Sequence, residues 1–175
     1  MKRVTIAAFI ISILLAGVAS GQERKNATKA AIAVPPEIIS PVVAYQPDCP
    51  LRIEDVKLLQ FVEGGGISQF LKVRNTGTKP IRSYTIGTWN SVGTGNEVER
   101  PLPNNLLPGE VSIPEGNEVE VVPLTKGLRD QLSLHGDMQA LVVFIVVRVQ
   151  FADGSVYDGA PLYNALKAHL NKLSP

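Results

Sequence analysis

From Ala140 to Tyr157 the chain reads ALVVFIVVRVQFADGSVY, its longest apolar run downstream of the N-terminal segment, and the run closes in a turn. Val and Ile dominate it. Their branched side chains are stiff at the first torsion and pack well on a pleated surface, which predicts a strand rather than a buried helix. Alternation points Leu141, Val143, Ile145, Val147, Val149 and Phe151 one way, and Val142, Phe144, Val146, Arg148 and Gln150 the other. A strand apolar on both faces at one end and half polar at the other predicts a central place in a sheet. Asp153-Gly154 supplies a tight turn, and Val156-Tyr157 begin the return strand.

Upstream, Leu51–Val62 alternates imperfectly: Ile53 is followed by Val56 and Leu58, then by Leu59 and Phe61, so the apolar face changes side as it does in a bulged strand. Gly64-Gly65-Gly66 interrupts the pattern, and Ile67–Arg74 resumes it, which predicts a hairpin. Asn75–Pro80 is a turn cluster. Ile81–Trp89 is the next strand, with Tyr84 and Ile86 on one face and Ile81 and Trp89 on the other. Asn90–Pro108 is dense in Gly, Asn and Pro, and reads either as a loop or as a loop hiding a short edge strand. After a turn at Pro108-Gly109-Glu110, Asn117–Leu124 alternates Glu118 and Glu120 against Val119 and Val121. Leu128 and Leu132 have the spacing of a short surface helix, and Pro161–Leu173 places Leu162, Leu166, Leu170 and Leu173 on one helical stripe. Pro161 suits the first turn of that helix, where its missing N–H costs nothing.

The first residues form a separate object. Lys2 and Arg3 make a basic start, Val4–Val18 is apolar apart from Thr5, Ser12 and Gly17, and Val18-Ala19-Ser20 offers small residues for cleavage. This predicts a secretory signal peptide over 1–20. The competing reading is an uncleaved anchor, but the block falls short of the roughly 20 apolar residues a spanning helix needs. Residues 21–48, rich in Pro, Ala and Lys, read as an extended spacer, with Ile38, Ile39, Val42 and Val43 as a candidate edge strand. The folded domain is then expected over 49–175. Asn26-Ala27-Thr28 matches a glycosylation acceptor, a pattern frequent by chance.

Charge and chemistry narrow the function classes. Of 17 basic residues, removal of Lys2 and Arg3 leaves 15 against 16 acidic ones. No basic stripe remains, so nucleic acid is not an expected partner. The single Cys49 cannot form an internal disulfide, and reads as a tolerated thiol or as an intermolecular bridge. His135 and His169 have no second ligand at a zinc-like spacing, although Asp137 lies near His135. The triple glycine lacks the closing Lys-Ser or Lys-Thr pair of a phosphate loop, and Gly66-Ile67-Ser68-Gln69-Phe70 lacks the second glycine of a nucleophile elbow. Asp153, Ser155 and Asp158 are explained by a hairpin turn without calcium. No catalytic residue, cofactor or metal site is expected.

Phe70-Leu71-Lys72-Val73-Arg74 followed by Asn75-Thr76-Gly77, and later Leu106-Leu107-Pro108-Gly109-Glu110, resemble bacterial immunoglobulin-like modules of exported and cell-surface proteins. In those, the second strand ends in an Asn-x-Gly turn and a Leu-x-Pro-Gly-Glu-like turn precedes a later strand. The likeness covers roughly Leu51–Asp158, without the paired cysteines of antibody domains, and the helix after Pro161 lies outside it. It implies an antiparallel β-sandwich that binds or spaces, with a core tryptophan at about the place of Trp89. The expectation is therefore an all-β, immunoglobulin-like sandwich of about seven strands with a C-terminal amphipathic helix. Its expected role is an exported, secreted or periplasmic, non-catalytic module that binds an envelope protein or polymer, with no membrane span once the signal is removed. Leu102, Leu106, Leu107 and Tyr84 are the candidate partner-binding residues. The alternatives are a small hydrolase of envelope polymers, which needs an acidic pair converging in a cleft, and a carrier, which needs an enclosed apolar cavity.

Overall fold

A computed structural model describes residues 29–63, 66–91, 95–113, 119–127 and 140–172. In chain order these form β1 (Lys29–Ala33), β2 (Ile39–Val43), β3 (Leu51–Phe61), β4 (Ile67–Asn75), β5 (Ile81–Asn90), β6 (Gly95–Leu106), β7 (Val111–Ser112), β8 (Val119–Val121), β9 (Ala140–Phe151), β10 (Val156–Asp158) and the helix α1 (Ala160–Leu170). The protein is all-β in class. One sheet has the order β7-β4-β3-β1-β8, the other β10-β9-β5-β6, with β2 running parallel along the first half of β9. Ile32, Leu51, Leu71 and Val73 from the first sheet meet Tyr84, Ile86, Phe144 and Val146 from the second in one core.

The β3–β4 hairpin and the bulge expected in β3 are both present, the register shifting between Ile53 and Asp55. Two further shifts overturn the expected faces of the other long strands. Along β9 the pairing passes from Thr85↔Arg148 to Ile86↔Val146 and skips Val147. Val149 and Phe151 therefore turn to the inter-sheet core with Phe144 and Val146, while Ile145 and Val147 face the helix. Along β5 a shift between Ile81 and Ser83 brings Ile81 onto the face of Tyr84 and Ile86 rather than that of Trp89. Each extra residue reverses the faces beyond it. Alternation could not reveal the shift in β9, because both of its faces are apolar, one against the opposite sheet and one against α1.

Helix α1 begins with Pro161 in its first turn, as expected, but its buried side chain is Tyr163, with Leu166 beside it. Leu162, assigned to the buried stripe, is 46% exposed, and Leu173 lies outside the described residues. The helix lies close because Gly87 of β5 has no side chain: a Cβ there would stand 2.6 Å from Val147 Cγ2 and 2.8 Å from the Tyr163 ring. Tyr163 Oη donates to Thr88 O at 3.1 Å, and Trp89 Nε1 donates to Asn171 Oδ1 at 2.7 Å. Trp89 is buried, but it pairs with Val143 on the helix-facing side of the sheet rather than between the sheets.

The spacer expected over 21–48 is corrected from Lys29 onward. β1 lies between β3 and β8 with Ala31 and Ile32 fully buried, so the folded unit includes residues well before Cys49. The edge strand read at Ile38–Val43 is present as β2. Beyond it, Gln46 fills the gap along β9 between β2 and β10: its Nε2 donates to Val146 O at 2.9 Å and its Oε1 accepts from Val146 N at 2.8 Å, the two bonds a neighbouring strand would make. The signal segment, Asn26, the Leu128/Leu132 helix and His135 with Asp137 lie outside the described residues. Among the described residues, no helix is long and apolar enough to cross a membrane.

Candidate functional site

The two turn motifs meet at Asn75. This residue is fully buried at the end of β4, and its Nδ2 donates to Leu106 O at 2.8 Å and to Lys79 O at 2.9 Å, while Oδ1 accepts from Gly77 N at 3.0 Å. Its backbone N–H donates to Glu110 O and its carbonyl accepts from Gly109 N, the glycine holding φ +81 as the turn demands. One amide side chain thus ties the β4–β5 turn to the end of β6 and the turn into β7. Arg74 adds a bond to Gly109 O at 2.9 Å and an ion pair with Glu54.

Above this junction the sandwich is open. A cleft of about 630 Å³ runs between the edges of β4 and β6. Ser68, Gln69 and Phe70 form one wall, Glu99–Pro103 the other, Tyr84 lies at the floor, and Ser112 and Ile113 lie at one end. The segment expected to be a loop with at most a short edge strand is in fact the twelve-residue β6. It leaves the ladder after Pro101: Ser83 pairs with Pro101 and Ile81 with Leu106, so the residues between bow away from β5.

The two edges differ chemically. Pro101 and Pro103 carry no N–H, so β6 offers little to a further strand. On β4, Asn75 points its N–H and C=O away from β3, and by alternation so do Val73, Leu71, Gln69 and Ile67. β7 covers only Val73 and Arg74. Among the described residues no strand pairs with Ile67–Lys72 on that side.

Arg100 pairs with Tyr84 and shares its inward face. Its Nε is enclosed and has no hydrogen-bond partner among the described residues. Glu99, next along the strand, points to the outer face, where Ser83 Oγ donates to it at 3.2 Å. Burial pushes the Tyr84 phenol up from its ordinary pKa, and the nearby Arg100 charge opposes this.

Of the four expected partner-binding residues, Tyr84 and Leu102 line the cleft, although Tyr84 is only 4% exposed. Leu106 belongs to the core beneath Asn75. Leu107 lies outside the cleft at the next turn, 48% exposed, with its N–H bonded to Glu110 Oε2. Arg100, Gln69, Phe70 and Ser112 were missed. The inward aim of Arg100 follows only from its pairing with Tyr84, which alternation within β6 alone does not reveal.

The remaining candidates have structural partners. Asp153 is ion-paired with Lys79 at 2.8 Å and accepts from Ser155 N, which holds its carboxyl well below the ordinary range. Gly154 closes that turn at φ +85. Cys49 is buried, and desolvation pushes its thiol up. Among the described residues no group of three or more His, Cys, Asp and Glu is placed to hold a metal ion. No family model matches the chain, and neither a curated protein nor a solved structure does.

Proposed function

We propose that this protein is an exported, non-catalytic binding module of the cell envelope, built as an immunoglobulin-like sandwich, and that its β4–β6 cleft receives a protein or envelope component. Export rests on the basic start, apolar block and small residues of 1–20. The immunoglobulin-like reading is supported by strand order. The hairpin β3–β4 lies in one sheet with the short β7 beside β4, the chain then crosses to β5 and β6, and β9–β10 close the second sheet on the far side of β5. That order is compatible with strands A, B and E against G, F, C and C′, with β1, β2 and β8 additional to them, and this supports the reading.

The observation that carries the binding reading is the open cleft between a strand edge unpaired among the described residues and a proline-blunted one. A volume of about 630 Å³ is in the range of ligand sites. Its mixed lining and open mouth suit surface recognition better than an enclosed apolar carrier site. A hydrolase needs converging carboxylates, and among the described lining residues the cleft has Glu99 alone, turned toward Ser83.

A photo-crosslinking side chain tests the reading. It would be placed at Ile113, which is 67% exposed at the cleft, and as a control at Val156, which is 42% exposed on β10. Crosslinking to one envelope component from position 113 and not from 156 is the expected result. Equal labelling from both positions, or none from 113, would remove the cleft as the recognition surface.

A further inference from the structure

Arg100 stands apart from the other cations around the junction. Lys72 and Arg74 share Glu54, and Lys79 is paired with Asp153. Among the described residues Arg100 has no carboxylate within ion-pair distance and its Nε has no acceptor, yet it is half-buried and faces the cleft. A guanidinium stays charged at any physiological pH, so it cannot relieve this by losing a proton. An inward charge on an edge strand can guard against edge-to-edge pairing. In β6 that task is already met by Pro101 and Pro103, which follow it within three residues.

Across the cleft, the edge of β4 that lines it at Gln69 turns the N–H and C=O groups of Ile67, Gln69 and Leu71 away from β3, with no strand paired to them among the described residues. We infer that the cleft accepts an extended peptide segment that adds as a strand to the free edge of β4 and sets a carboxylate side chain against the Arg100 guanidinium. This rests on the binding reading above and names the ligand class for it. Three alternate residues of β4 span a stretch that matches a peptide of about five residues. Main-chain bonds to β4 would supply affinity with little sequence preference. Selectivity would come from the carboxylate, because a guanidinium offers a planar, bidentate fit to it. Phe70 and Ile113 provide apolar contact near the mouth.

The test is selection of a random heptapeptide phage library on the whole chain, followed by affinity measurement with the enriched synthetic peptides. Peptides carrying Asp or Glu are expected to be enriched. Arg100→Gln should weaken them at least about tenfold, with Arg100→Lys in between. Binding should slow amide exchange at Ile67, Gln69 and Leu71. Enriched peptides without acidic residues, or equal affinity for Arg100→Gln, would overturn the carboxylate pairing while leaving the cleft as a binding site. Binding with unchanged exchange on β4 would overturn strand addition. No enrichment at all would overturn the peptide ligand, and crosslinking from position 113 then decides separately whether the cleft binds anything. Arg100→Gln removes no hydrogen bond or ion pair among the described residues, so its melting temperature should match the wild type. If it falls, the charge-retaining Arg100→Lys and the exchange pattern still decide the question.

Discussion

Asn75→Ala is expected to destabilise the fold by about 3–4 kcal/mol. The side chain makes three hydrogen bonds, donating to Leu106 O and Lys79 O and accepting from Gly77 N, at 2.8, 2.9 and 3.0 Å. Each contributes about 1 kcal/mol net, and the buried Leu106 carbonyl loses a donor that water cannot readily replace, adding about 1 kcal/mol. For a chain of this length that lowers the melting temperature by roughly 10 °C. Urea denaturation should show a lower midpoint with an unchanged slope, the sign of a change in stability alone. Asn75→Asp separates hydrogen bonding from size. The introduced carboxylate would face two carbonyls, so its folded pKa would rise above the unfolded value of about 3.9. A raised carboxylate pKa means that the folded state binds more protons, so this variant should lose stability as pH rises through that range and recover some of it in acid. A loss below about 1 kcal/mol for Asn75→Ala, or an Asp variant indifferent to pH, would refute the idea that this amide ties the two turns together.

Ile145→Asp would bury an unpaired carboxylate between β9 and α1 and should unfold the protein or cost more than about 4 kcal/mol, whereas Arg148→Ala, at an exposed position, should change the urea midpoint little. Gly87→Ala drives a methyl group into Val147 and Tyr163 and should cost about 1–3 kcal/mol. Trp89 fluorescence would report the loosened contact with Asn171, and an unchanged emission spectrum and midpoint would count against the close helix approach. Gln46→Leu leaves the Val146 N–H and C=O without their partners, so the Val146 amide should exchange faster and stability should fall by about 1–3 kcal/mol.

The parts of the fold legible in the sequence were those whose apolar pattern has one meaning. The β3–β4 and β9–β10 hairpins, the bulge in β3 and the C-terminal helix each combine a periodic run with turn residues or a helix-starting proline. Strand β1 was hidden because Lys29–Ala33 is mostly alanine, which neither alternates nor favours strands, and its burial comes from β3 and β8 on either side. Strand β6 was obscured by Pro101, Pro103 and paired asparagines, residues that fit an edge strand but also mark loops. The shift in β9 occurs where both faces are apolar, so the hydrophobic code is degenerate there, and the shift in β5 falls at Arg82 and Ser83, polar residues that give no apolar position to mark it. The cleft was half legible. Tyr84 stood out as an aromatic residue on an expected strand and Leu102 as an apolar residue in an irregular segment, whereas Arg100 became notable only once its pairing with Tyr84 placed it on the inward face and its Nε proved to lack an acceptor among the described residues. Gln46 shows the same limit, since nothing in its local sequence announces that its amide stands in for a strand.

The measurement that bears most directly on the cleft is native-state hydrogen exchange along β4 in the free protein. If the edge is open, the amides of Ile67 and Gln69 exchange quickly while those of Ser68 and Phe70, turned to β3, and of Asn75, bonded to Glu110 O, exchange slowly. An alternating pattern that ends where β7 begins to cover Val73 is the expected result. Uniform protection from Ile67 to Asn75 would mean that another part of the chain already pairs with this edge, and the cleft would then have no free strand to offer a partner.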